Sequence, residues 1–152
     1  MPFKQKTTIV TLVNFSLILL FLLVRLFQLS RNGDFIASNV FRLWGITIIM
    51  AILISITGTV LTQIVSAVLE AVWSGDENPQ VDFFEDERDN LIDLRGTKIT
   101  YLFSSIGSFI AMLTFYFGQP ALIMFTLLIL FGIIAQIVGD VARLVLYQRG
   151  LE

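Results

Sequence analysis

Two glutamines, two carboxylates and an arginine stand inside stretches that are otherwise almost free of charge: Gln63 and Glu70 in one, Gln136, Asp140 and Arg143 in another. Polar and ionisable groups in apolar runs are costly to bury. They therefore mark candidate positions for a proton relay, a coupling ion or a polar solute. Helical spacing places Ser55, Thr59, Thr62, Gln63, Ser66 and Glu70 on one face, and Gly132, Gln136, Gly139, Asp140 and Arg143 on another. Gly96, Thr100, Ser104 and Ser108 recur every fourth residue, and Thr11, Asn14, Arg25 and Gln28 share one side of an earlier segment.

These faces support two readings. Small and hydroxyl residues let membrane helices approach closely and hydrogen-bond across their interface, and this packing reading leads. The second is a polar path, with Gln63 and Gln136 at depth and Glu70 and Asp140 near its inner end. Arg143 has two candidate partners: Glu70, as a pin between two helices, and Asp140, three residues earlier on its own helix. Arg25 is expected to reach lipid headgroups along its aliphatic stem.

The chain has no cysteine and no histidine. Thiolate nucleophiles, disulfides, imidazole bases and the usual zinc sites are therefore excluded. Aspartyl chemistry needs two facing carboxylates, and Glu70 with Asp140 is the pair on offer, though nothing in the spacing brings them together. No nucleophile–base constellation can be named, so a non-enzymatic protein without cofactor is expected. The net charge of −2 gives no reason to expect a nucleic-acid partner.

A second concentration of charge lies between residues 82 and 95, where Asp82, Glu85, Asp86, Glu87, Asp89 and Asp93 alternate with Arg88 and Arg95. Six carboxylates invite a divalent cation, but a helix spreads them around its circumference and the arginines compete for them, so no metal site is expected. A solvated, salt-bridged face fits this pattern better. Asp82-Phe83-Phe84-Glu85 has the form of a capping box, which starts a helix there. Phe84, Leu91, Ile92 and Leu94 add a partial apolar stripe.

The run Asp86-Glu87-Arg88-Asp89-Asn90-Leu91-Ile92-Asp93-Leu94-Arg95-Gly96, followed by Tyr101, resembles a signature of an uncharacterised family of small prokaryotic membrane proteins. In that family an Asp-Glu-Arg segment precedes a membrane helix. The resemblance covers about a tenth of the chain. It implies a multi-helix layout and no activity, with Asp86, Glu87 and Arg88 as the motif positions, serving as a structural staple or as a docking site.

Four long elements must position these residues. The chain of 152 residues is 56% hydrophobic and only 14% charged, with the charges gathered between long apolar runs. A membrane span needs about 20 apolar residues. Spans are expected at about 7–29, 42–70, 98–117 and 120–143, with a cytoplasmic acidic segment at about 74–97. The first run continues past the length of a signal-peptide core and reads as a retained helix. Asn32-Gly33 and Gly118-Gln119-Pro120 mark tight turns. Trp44 and Trp73 flank the second span as interfacial anchors.

Lys4, Lys6, Arg88, Arg95, Lys98, Arg143 and Arg149 fall on one side of that layout, and Arg25, Arg31 and Arg42 on the other. Lysine and arginine accumulate in cytoplasmic segments, which puts both termini inside. The expectation is an all-α, four-helix transmembrane bundle with a cytoplasmic amphipathic helix before the third span. It would lie in a prokaryotic inner membrane in contact with lipid. It would act by self-association or by docking a cytoplasmic partner through Asp86, Glu87, Arg88 and Asp89. A small oligomeric channel or transporter lined by the polar faces of the second and fourth helices is the alternative.

Overall fold

The computed structural model describes residues 3–74 and 87–149, without the side chains of Thr59, Thr62, Ser66, Glu70 and Trp73 among others in the second helix. The expected capping box at Asp82 and the motif residue Asp86 lie outside the described residues. Four helices make up the fold: α1 (Phe3–Arg31), α2 (Ala37–Ser74), α3 (Glu87–Tyr116) and α4 (Ala121–Arg149). All four are long and apolar enough to cross a membrane.

The helices outrun the apolar stretches that announce them. α1 starts at Phe3, α2 at Ala37, and α4 continues to Arg149. Backbone hydrogen bonding does not stop where hydrophobicity does, and long basic side chains carry a helix into the headgroup region. Glu87, Arg88 and Asp89 form the first turn of α3 itself, so these acidic residues and the third span belong to one helix. Carboxylates there face the positive end of the helix dipole.

Two glycines make the turns at one end of the molecule. After α1, Gly33 has φ 74°. The Asp34 amide donates to the Leu29 carbonyl at 3.0 Å and the Gly33 amide to the Ser30 carbonyl at 3.4 Å. After α3, Gly118 has φ 85°. There the Gln119 amide reaches the Thr114 carbonyl at 3.1 Å and the Gly118 amide the Phe115 carbonyl at 3.0 Å. Both are Schellman caps, which need a left-handed residue just past the helix. Pro120 then precedes α4 and accepts from the Ile123 amide at 2.9 Å.

α4 packs most closely on α3, and α1 packs on both α2 and α4. The α3–α4 seam is close because small residues line it: Gly107 lies against the Phe131 ring, Gly139 against Thr100, and Gly96 against the Arg143 side chain. Ala111 and Ala135 are buried in the same seam. On the other side, a Cβ added at Gly58 of α2 would stand 2.7 Å from Asn14 Nδ2, and Asn14 donates to the Ile54 carbonyl at 3.5 Å. An apolar core of Ile18, Leu22, Leu43 and Ile133 joins α1, α2 and α4 at mid-height. Phe3 and Arg149 lie at one end of the molecule, called here the terminal end, and the two glycine turns at the other.

Candidate functional site

Polar side chains from three helices converge near the terminal end. Arg143 of α4 sits at their centre and uses three separate nitrogens. Nε donates to Asp93 Oδ1 at 2.8 Å, one terminal nitrogen to Asp140 Oδ1 at 2.9 Å, and the other to Thr97 Oγ1 at 2.9 Å. Gln136 Nε2 adds a bond to Asp140 Oδ1 at 3.1 Å. The planar guanidinium fork suits this division of donors. Gly96, one turn after Asp93 on α3, leaves the space through which the Arg143 stem passes.

Asp140 is the most deeply placed charge among the described residues, with 2% of its surface exposed. Its Oδ1 accepts two hydrogen bonds, while its Oδ2 is buried and has no hydrogen-bond partner among the described residues. Thr11 stands beside it. A hydroxyl carries a single hydrogen, and Thr11 can give it to the Asp140 carboxylate or to the Thr8 carbonyl at 3.0 Å. Thr8 donates to the Lys4 carbonyl at 2.8 Å. Each hydroxyl also has oxygen lone pairs to offer the cavity.

These groups line a cavity of about 390 Å³ bounded by Lys4, Thr8, Thr11, Asp93, Asp140 and Tyr147, among others. Lys4 and Tyr147 stand nearest the terminal end. Lys4 also donates to Asn90 Oδ1 at 3.2 Å, tying α1 to α3. From Lys4 to Thr11 the helical rise makes the cavity about 10 Å deep along α1. The buried Ile92 shares its lining, and the apolar layer around Ile133 lies on the side away from the terminal end.

Of the residues singled out from sequence, Gln136, Asp140 and Arg143 meet here, with α1 and α3 as their neighbours. Gln63 is exposed on α2 among exposed Ile64 and Val65, and the Glu70 side chain lies outside the described residues. Among the described residues Arg143 has Asp93 and Asp140 as ion-pair partners, and the expected pairing with Glu70 lies outside them. Glu87 and Arg88 are exposed at the start of α3, and Asp89 is half-buried. Lys4, Thr8, Asp93, Thr97 and Tyr147 were not singled out for this site. The spacing of Asp93, Thr97 and Thr100 around Gly96, and of Thr8 and Thr11 on α1, is the signal that could have found them. Among the described residues no group of three or more Asp or Glu is set to hold a metal ion.

Fold and site together define an all-helical protein with a polar vestibule sunk into one end of its apolar spans. No family model matches the chain, and neither a curated protein nor a solved structure matches it.

Proposed function

We propose that this chain is a non-enzymatic multi-pass membrane protein, assembled as an oligomer, whose vestibule binds a small monovalent cation as part of a channel- or transporter-type activity. The terminal end faces the cytoplasm, and the four helices form a bundle in a prokaryotic inner membrane. The observation that carries the reading is the orphaned Oδ2 of Asp140, buried at the lining of a cavity that also offers the Thr8 and Thr11 hydroxyl oxygens. A buried carboxylate oxygen without a donor is costly, and a cation or an ammonium group removes that cost.

The test is thermal unfolding in mild detergent with sodium, potassium or ammonium added, paired with flux in proteoliposomes. A ligand that binds only the folded state raises the midpoint with concentration. The expected result is a rise for at least one of these cations, lost in Asp140→Asn, with flux lost in the same variant. No shift with any of them, together with flux equal to empty liposomes, sinks the proposal.

A second reading, docking of a cytoplasmic partner or of further copies, draws on the exposure of Glu87 and Arg88 at the same end. Like charges across an interface cost several kcal/mol. Glu87→Lys with Asp89→Lys is expected to abolish association while helicity is kept. An unchanged oligomer and an unchanged pull-down remove this reading.

A further inference from the structure

The opposite end of the α1–α2 pair holds a second cavity, of about 290 Å³, lined by Arg25, Gln28, Asn32, Asn39 and Arg42 with apolar walls that include Phe21 and Leu43. Its polar lining is rich in donors: two guanidinium forks and three side-chain amides. No carboxylate lines it, and among the described residues neither arginine forms an ion pair. Arg25 donates to Gln28 Oε1 at 3.2 Å, a neutral acceptor that leaves its charge uncompensated. Asn39 directs its amide to the Asp34 carbonyl at 3.1 Å, which holds the mouth of the turn in place.

Arg25 and Arg42 are both exposed at the cavity, so an anion entering it meets two positive charges at once. Guanidinium forks match tetrahedral oxyanions, with two parallel hydrogen bonds to each. Position narrows the anion further. Arg25 lies six residues before the end of α1, and Arg42 five residues after the start of α2. At the helical rise each is about 8–9 Å below the turn. That depth in a spanning hairpin is where hydrocarbon gives way to headgroups, and the cavity walls change from polar to apolar across it.

We propose that Arg25 and Arg42 clamp a phosphate-bearing anion between α1 and α2, and that a membrane phospholipid supplies it through its phosphodiester. Gln28 and Asn32 donate to the remaining oxygens, and Phe21 and Leu43 receive the first carbons of the acyl chains. A lipid held there adds a further tie between α1 and α2, close to the short turn through Gly33. The site is separate from the vestibule: Arg25 and Thr11 stand about 21 Å apart along α1.

The experiment is native mass spectrometry of the full chain released from mild detergent. A short-chain phosphatidylglycerol, inorganic phosphate and monoolein, a neutral lipid, serve as separate probes. Phosphatidylglycerol adducts are expected on the parent chain and should weaken roughly tenfold or more in the Arg25→Gln, Arg42→Gln double variant, as for loss of a charge-assisted hydrogen bond. The Arg25→Lys, Arg42→Lys variant keeps the charge without the fork, so it should fold as the parent does and bind in between. Retention of inorganic phosphate without lipid supports the anion site and names free phosphate as its source. Equal retention of monoolein, or phosphatidylglycerol binding unchanged in the glutamine variant, overturns the proposal.

Discussion

At the scale of single residues, Arg143 holds the terminal end together. Replacing it with Met removes three hydrogen bonds and leaves Asp140 as an uncompensated buried charge. Breaking a buried pair in this way costs about 3–5 kcal/mol, a loss that denaturation in detergent would reveal. Arg143→Lys should recover little of it, because one ammonium cannot reach the separate positions that Nε and the two terminal nitrogens occupy. Trp44 gives the opposite case. It packs edge-on against Phe41 and Phe125, and its indole nitrogen is buried without a hydrogen-bond partner among the described residues. Trp44→Phe loses no hydrogen bond and should change stability by less than about 1 kcal/mol.

The pairing of Asp140 with Arg143 was legible in the sequence, since a three-residue spacing fixes it within one helix. The links from Arg143 to Asp93 and Thr97 were not. They depend on which helix α4 faces, and its small and polar face marks a contact side without naming the neighbour.

At the scale of elements, the α3–α4 seam is set by its glycines. Gly107→Leu would drive a side chain into the Phe131 ring. Overpacking of this kind costs about 1–3 kcal/mol, to be seen as a lower unfolding midpoint. Gly132 is the matched control: nothing stands within 4 Å of a Cβ placed there, so Gly132→Ala should leave stability unchanged or raise it slightly through helix propensity. The two glycine turns were readable in advance, because Asn32-Gly33 and Gly118-Gln119-Pro120 carry local chemistry that no tertiary contact has to supply. The bounds of the helices were harder to read. Hydropathy reports where lipid ends rather than where the helix does.

At the scale of the whole molecule, the absence of cysteine makes the topology directly testable. Asn32→Cys and Gln119→Cys lie in the turns at one end, and Gln148→Cys lies at the terminal end. In oriented vesicles a membrane-impermeant maleimide added outside should label the first two and spare the third. Labelling of all three, or of the third alone, contradicts a terminal end that faces inward. The number of spans could be read from the apolar runs alone. Their order of packing could not, because every span presents leucine, isoleucine or phenylalanine in most directions and lipid accepts them all.

Ile18, Leu22 and Ile133, with Leu43 at the wall of the second cavity, form an apolar layer between the two cavities. Measured along α1 from Thr11 to Phe21, that layer is about 15 Å thick, roughly half the hydrocarbon of a bilayer. With water filling both cavities, the membrane voltage would drop mainly across the layer and the local field would be about doubled. A charge reaching Asp140 from the terminal end crosses almost none of that drop. A charge passing Ile133 crosses nearly all of it, with work of about 2.3 kcal/mol per 100 mV. The core thus acts as the thin dielectric of a capacitor whose plates are the two polar cavities.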